Sequence, residues 1–248
     1  MKGLVILPTY NEAGTITEVV QRILASTPDV DVLVVDDNSP DGTGTIADGI
    51  AAGARRVSVM HRPGKGGLGP AYLAGFAYGL ERDYDALIEM DSDLSHDPGD
   101  VARLLAGAGT ADLVIGSRYV PGGDTVNWSP NRRRLSRAGT LYAKTLLGLP
   151  LSDATSGFRC YRRAVLETIP LGDISSEGYA FQIELAWRAW TMGFRTVEIP
   201  IVFTERREGA SKMSRAIVAE ALWRVLLWAT RFKRPTGRPH PRSVVAAA

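Results

Sequence analysis

Asp31-Val32-Leu33-Val34-Val35-Asp36-Asp37-Asn38-Ser39-Pro40-Asp41-Gly42 is the stretch on which the fold turns. Four consecutive apolar residues leave no polar face, so the strand they form is buried on both sides, as in a largely parallel sheet covered by helices. The run stops at two adjacent carboxylates and a cluster of Asn, Ser, Pro and Gly, residues that favour a turn. Similar runs lie at residues 3 to 7, 56 to 60, 86 to 90 and 112 to 116, and this one spans 31 to 36. Each is followed by turn residues and a helix-like segment. That alternation predicts an α/β fold with a mainly parallel twisted sheet flanked by helices. Ligands of such sheets collect at the strand ends.

After Ser117 the alternation gives way to a Gly/Pro-rich loop (Pro121 to Pro130) and a basic helix-like stretch (Arg132 to Leu147). A helix from about Tyr179 to Met192, a strand at Thr196 to Pro200 and a last helix from about Ser211 to Phe232 follow. Residues 1–232 therefore read as one domain, and 233–248, rich in Pro and Arg, as a flexible tail. With 248 residues, 45% of them apolar, one substantial core is expected. The 29 basic and 27 acidic residues nearly cancel, so bulk charge points neither to nucleic acid nor to an anionic membrane. Cys160 stands alone, which excludes an internal disulfide and a Cys-rich zinc site, and fits cytosolic exposure. The apolar N-terminal stretch stops by Pro8, too short for a signal-peptide core. No stretch of about twenty residues lacks charge, so no membrane-spanning helix is expected.

The candidate chemistry sits at the strand ends. Ala86-Leu87-Ile88-Glu89-Met90 breaks into Asp91-Ser92-Asp93, with Ser95 close behind. Two carboxylates there suit a hard cation such as Mg²⁺ or Mn²⁺ that keeps positions open for phosphate oxygens. Both could point at one ion if the strand persists that far; an acidic turn that only begins the next helix is the alternative, favoured for so short a motif standing alone, and the surrounding motifs shift the balance toward the metal. Pro8-Thr9-Tyr10-Asn11-Glu12 offers Thr9 or Asn11 as a helix cap, a polar rim for a nucleotide, and Tyr10 for stacking on a base. Asp36 and Asp37 are natural acceptors for a guanine edge or a ribose diol. Gly64-Lys65-Gly66-Gly67-Leu68-Gly69 has G-x-G-x-x-G spacing but follows the third strand, not the first, so it is discounted as a dinucleotide fingerprint. Close backbone approach to a ligand and a plain connector both remain open for it.

Arg132, Arg133, Arg134 and Arg137 form a basic cluster for which a solvated face is the plain alternative, whereas Arg118 stands at the end of the fifth strand beside the expected metal, where a guanidinium suits a bidentate phosphate clamp. Thr204 to Lys212 is a charged loop in which Arg206 and Lys212 could meet phosphate oxygens. The last helix mixes Leu222, Trp223, Leu226 and Trp228 with Arg215, Arg224 and Arg231, which fits either core packing or a helix lying in a membrane interface.

In this order, Pro8-Thr9-Tyr10-Asn11-Glu12, Val35 to Asp41, Met90-Asp91-Ser92-Asp93, Gly116-Ser117-Arg118-Tyr119 and Thr155-Ser156-Gly157-Phe158-Arg159 resemble the polyprenol-phosphate mannosyltransferases. These are the dolichol-phosphate-mannose synthase group of the family 2 glycosyltransferases, and the resemblance covers about residues 3 to 215. It implies a GT-A fold and an inverting transfer of mannose from GDP-mannose to a polyprenyl phosphate, with Mg²⁺ or Mn²⁺ as cofactor. By motif, Pro8, Tyr10, Glu12, Asp36 and Asp37 would hold the guanosine, with Lys212 a further donor contact. Asp91 and Asp93, with Ser95 as third ligand, would bind metal and diphosphate. Arg118, Arg132 and Arg206 would grip the acceptor and donor phosphates, and Asp93 would join them as a catalytic residue. Some relatives carry Gln where this chain has Ser95, which puts a direct metal contact from the shorter side chain in question.

A lipid acceptor implies a membrane-facing site, with segments about 132–149 and 211–232 as C-terminal amphipathic elements that lie on the cytoplasmic face of a membrane, beside a separate integral membrane protein. No nucleic-acid partner is implied. The competing expectations are a UDP-glucose-dependent polyprenyl-phosphate glucosyltransferase, a non-catalytic membrane scaffold with a nucleotide-sugar fold, and, resting only on the glycine loop, a dehydrogenase.

Overall fold

A computed structural model describes residues 1–205 and 215–231. The first half runs β1 (Gly3–Thr9), α1 (Ile16–Ser26), β2 (Val30–Asp36), α2 (Thr43–Gly53), β3 (Val57–His61), α3 (Leu68–Leu80) and β4 (Ala86–Glu89). A 3-10 turn at Pro98–Asp100 leads into α4 (Val101–Gly107) and β5 (Leu113–Ser117). The second half adds β6 (Asp124–Val126), α5 (Pro130–Leu147), β7 (Arg159–Arg162), α6 (Arg163–Thr168), α7 (Gly178–Thr191), β8 (Thr196–Pro200), β9 (Val202–Thr204) and α8 (Arg215–Arg231).

Among the described residues, seven strands form one sheet in the order β3-β2-β1-β4-β7-β5-β8, and β6 pairs with β9 in a separate parallel ribbon. The five strands expected from the apolar runs are all present. Three were not foreseen: β7 enters antiparallel between β4 and β5, and β6 and β9 are three-residue strands inside stretches that read as loops. Each depends on a partner far away in sequence, which local periodicity does not report.

Alternation along the strands divides the core. Leu4 and Ile6 of β1 join Leu33, Tyr72, Phe76 and Phe181 on one side, while Val5 and Leu7 join Val19, Val32, Val34 and Val101 on the other. Glycines bring α3 close to the sheet; a Cβ at Gly75 would lie 2.5 Å from the side chain of Ile6. The register pairs Thr9 with Asp36 and Ile6 with Glu89, so the loops after β1, β2 and β4 open at one edge. The chain departs from β1 to β2 on one side and to β4 on the other, which makes that edge a switch point where ligands bind.

The α5 helix starts at Ser129, whose Oγ accepts from the Arg132 N–H, with Pro130 in its first turn, and ends at Gly148 in the left-handed region (φ 70°). Helix α8 lies against α5 and α7: Trp228 stacks on Trp187 with ring centroids 5.9 Å apart, and the Tyr142 hydroxyl donates to the Leu222 carbonyl. Its other face is apolar and exposed at Leu222, Trp223 and Leu226, so core packing and an exposed apolar face belong to opposite sides of one helix. No helix among the described residues is long and apolar enough to cross a membrane.

Candidate active site

At the switch point lies a cavity of about 440 Å³ lined by Pro8, Tyr10, Glu12, Asp37, Lys65, Gly67, Asp91, Asp93, Arg132, Thr155, Gly157, Glu177, Tyr179 and Gln182, among others. The loop after β1 is moulded by the turn after β2. The backbone N–H groups of Asn11, Glu12 and Ala13 donate to Ser39 Oγ, Thr43 Oγ1 and Asp41 Oδ2. Burial works against the Asp41 carboxylate, but bonds from Thr43 and Ala13 prevail and hold its pKa below the usual value. Neither residue proposed as a helix cap acts as one. Thr9 Oγ1 donates to Asp36 Oδ1 (2.9 Å), Asn11 sits at φ 61°, and α1 begins only at Ile16.

The two neighbouring acids after β2 have different positions. Asp36 is buried and does not line the cavity: it accepts from Thr9 Oγ1, from Ser39 Oγ at 2.6 Å and from the Ser39 N–H at 3.1 Å. The expected contact from Asp36 to a nucleoside is replaced by an anchor for its loop. Asp37 does line the cavity, and it ties down the glycine loop by accepting from Arg62 Nη1 (2.6 Å) and the Gly66 N–H (2.8 Å). That places Gly67, at φ 91°, in the wall and Lys65 Nζ 4.3 Å from the centre of the Tyr10 ring. The glycine loop thus contributes Lys65 and Gly67 to the cavity wall.

Strand β4 ends at Glu89, so Asp91 and Asp93 do not share a face as strand neighbours. A turn does what the strand was expected to do: Ser92 Oγ donates to the Pro8 carbonyl (2.9 Å), Thr15 Oγ1 donates to the Ser92 carbonyl (2.8 Å), and Leu94 takes φ 59°. Both carboxylates thereby reach the same cavity. The Asp93 Oδ1 accepts from the Ser95 N–H (3.0 Å), while Ser95 itself is buried, its Oγ has no hydrogen-bond partner among the described residues, and it does not line the cavity. The third ligand proposed from sequence is therefore absent from the wall. Beneath the turn, His96 packs between Phe158 (4.9 Å) and Phe203 (5.0 Å), and burial pushes its pKa down to about 4. Under Asp91, Glu89 is fully buried and burial pushes its pKa up to about 8.

The two arginines expected to clamp phosphate are also separated. Arg118 is buried, with Nε and Nη2 each 2.6 Å from the two oxygens of Asp153 and Nη2 2.8 Å from Thr155 Oγ1. Burial opposes the Arg118 charge, but Asp153 more than offsets it and raises the guanidinium pKa, just as Arg118 lowers that of Asp153 against burial. Arg118 does not line the cavity, so its expected phosphate contact gives way to an internal ion pair. Arg132 remains on the wall. It lies over Trp128 (4.2 Å to the ring centre) and meets Glu205 Oε1 at 2.7 Å. Arg206 and Lys212 lie outside the described residues.

A second cavity, about 350 Å³, runs between α5, α7 and α8 and is apolar: Trp128, Leu135, Ala138, Tyr142, Ile183, Leu222 and Val225 line it. Arg132, Thr155 and Tyr179 belong to both cavities, so the polar one and the apolar one adjoin along these three residues. The sequence reading missed Asp153, Glu177, Tyr179, Gln182 and Glu205. Glu177-Gly178-Tyr179 carried a usable signal, because it starts a helix of 14 residues and a helix start presents N–H groups to an anion.

The profile described as "Glycosyl transferase family 2" matches residues 4–170. A relative described as polyprenol monophosphomannose synthase, from Mycolicibacterium smegmatis, is 53% identical over 93% of this chain and 88% of its own length. One described as undecaprenyl-phosphate mannosyltransferase, from Micrococcus luteus, is 52% identical over 92% of this chain and 94% of its own length. Among solved structures, glucosyl-3-phosphoglycerate synthase from Mycobacterium tuberculosis, in complex with Mn²⁺, UDP and glucosyl-3-phosphoglycerate, superposes with a TM-score of 0.66. It is 22% identical and covers 92% of this chain and 79% of the other.

Proposed function

The chain belongs to glycosyl transferase family 2, and we propose that it moves mannose from GDP-mannose to the phosphate of a polyprenyl phosphate. Its fold is GT-A, and its relatives group it with the polyprenol-phosphate mannosyltransferases. One observation carries the proposal: a polar cavity with two acidic turns shares Arg132 in its wall with an apolar groove. A sugar nucleotide suits the first, an isoprenoid tail the second, and a phosphate the cation between them. The fold alone does not choose the base, since the solved relative holds UDP; guanosine is inferred from the motifs after β1 and β2.

An oxygen of the lipid phosphate forms the bond to C1 of mannose while the C1–O bond to GDP breaks on the opposite face, so the anomeric centre inverts and the electron pair leaves with the diphosphate. A phosphate monoester has a second pKa of about 6, so the nucleophile is already largely deprotonated near neutrality and needs no strong base. That agrees with a site whose nearest imidazole, His96, is buried among aromatic rings. The chain's task is to position and to balance charge. Tyr10, Glu12 and Asp37 border the nucleoside end, and Arg132 orients the acceptor phosphate.

The donor set fits a hard divalent cation: Asp91 and Asp93 offer carboxylate oxygens on one wall, and no third His, Cys, Asp or Glu groups with them among the described residues. Mg²⁺ is commonly held by one or two carboxylates with substrate phosphates completing its shell. Bound there, such an ion would neutralise the diphosphate.

Leu135, Leu141, Leu222, Trp223 and Leu226 expose large apolar side chains on α5 and α8, and Leu135 and Leu222 also line the groove between these helices. We infer that this face rests on the cytoplasmic surface of a membrane, beside a separate integral protein.

The test is incubation with radiolabelled GDP-mannose, UDP-glucose or UDP-GlcNAc and a short polyprenyl phosphate, with and without Mn²⁺, followed by lipid extraction. Lipid label from GDP-mannose alone is expected. Label from UDP-glucose alone would transfer the protein to the glucosyl reading, and none from any donor would return it to the scaffold reading. Asp93→Ala should abolish transfer with an unchanged circular dichroism spectrum; near-normal turnover would sink the model of the diphosphate site.

A further inference from the structure

Arg132 is held differently from Arg118, the other described arginine expected to grip phosphate. Among the described residues its contact with Glu205 is a single one, Nη1 to Oε1 at 2.7 Å, and its buried Nε has no hydrogen-bond partner. Glu205 is 42% exposed at its side chain while Arg132 is 17% exposed, so the pair lies at the rim, where an ion pair is weakly held. Apart from Glu205, the Arg132 guanidinium rests on the Trp128 ring, and its backbone is fixed in the first turn of α5. Glu205 also has an independent backbone anchor: its N–H donates to the Val126 carbonyl (3.0 Å), extending the β6–β9 ribbon by one residue. The carboxylate can therefore leave Arg132 by side-chain rotation alone.

A guanidinium fork is best satisfied by two parallel bonds from one anion. A carboxylate with one charge occupies that fork through a single bond, at the junction where the polar cavity meets the apolar groove. A phosphate monoester brings about 1.5 to 2 charges and three acceptor oxygens. We propose that Glu205 is a resident competitor for the acceptor phosphate: it occupies the Arg132 guanidinium while the site waits, and gives way to the phosphate of the lipid. The inference rests on the reading of Arg132 as the acceptor-phosphate residue. It makes Glu205 a residue that sets acceptor affinity and keeps a cation at the mouth of an apolar groove from collecting stray anions. The exchange leaves Glu205 displaced but still solvated, so it carries little cost.

The experiment uses the full chain and two probes: inorganic phosphate, whose binding is followed by calorimetry without donor, and geranyl phosphate, whose KM is measured in the transfer assay. Glu205→Gln should bind inorganic phosphate about two- to fivefold more tightly and lower KM for geranyl phosphate by a similar factor. The same change on an Arg132→Gln background should have no effect, because competition needs the shared guanidinium. Phosphate binding that is unchanged or weaker in Glu205→Gln would overturn the proposal; weaker binding would make Glu205 a brace for Arg132. The calorimetric result does not depend on which sugar is transferred, so a failed transfer assay would count against the proposed reaction and leave the competition measurement standing.

Discussion

Arg118 and Arg132 are both arginines at the approach to one cavity, yet one is architecture and the other is on display. Arg118 has two bonds of 2.6 Å to Asp153, a partner at Thr155 and almost no exposure. Arg132 has one bond to a half-exposed carboxylate and faces both cavities. The difference lies in what stands opposite. Asp153 is fixed by the chain on both sides, with its N–H donating to buried Glu198, so its carboxylate cannot retreat from Arg118. Glu205 stands at the end of a three-residue strand and can. Residue type proposes a phosphate contact, and the partner decides whether it is available.

The sharpest way to break this contrast is to remove each charge in turn. Arg132→Ala should lower transfer about 10²- to 10³-fold while leaving the melting temperature nearly unchanged, as removal of a preorganised charge contact does. Asp153→Asn should instead act on stability, costing about 3 to 5 kcal/mol in denaturant unfolding because it strands the buried Arg118 charge. If the two variants exchanged phenotypes, the assignment would be reversed.

Acid sharpens the same comparison. Arg118 holds the Asp153 pKa below its ordinary 3.8, so the stability this group contributes is present above that value and is lost as pH falls through the lower, folded value. The stability gap between wild type and Asp153→Asn should therefore narrow below pH 3.8, as chemical denaturation at a series of pH values would report. A gap that stays constant would mean that the pair is not what Asp153 contributes. The smallest effect belongs to the rim: Trp128→Leu removes a cation–π contact worth about 0.5 to 1 kcal/mol and should raise the KM for a prenyl phosphate about two- to fivefold.

Much of the fold was legible because its signal is local. The apolar runs at residues 3 to 7 and 31 to 36 need no partner to be recognised, and the turn chemistry of Asp36 to Gly42 announces the strand end on its own. The strands β6, β7 and β9 were not legible, since what makes them strands is a distant neighbour. The site shows the same division. Asp91, Asp93, Asp37, Tyr10, Glu12 and Arg132 could be named from motif and position, and all reach the cavity. Asp36, Ser95 and Arg118 could be named too, but the structure turns them away from it: Asp36 and Arg118 are bonded to internal partners, and Ser95 is buried behind the turn, none of which residue type alone reveals.

By itself, then, the sequence determined the alternating architecture, the edge of the sheet at which ligands gather and the oxygen-rich, arginine-rich character of the site. Only the tertiary structure decided which acids and arginines face that site, that a turn rather than a strand aims Asp91 and Asp93, and that the polar cavity shares Arg132 with an apolar groove. The reason is physical. Periodicity and turn chemistry are properties of a few consecutive residues, whereas the freedom of a charge depends on the partner that packing sets against it.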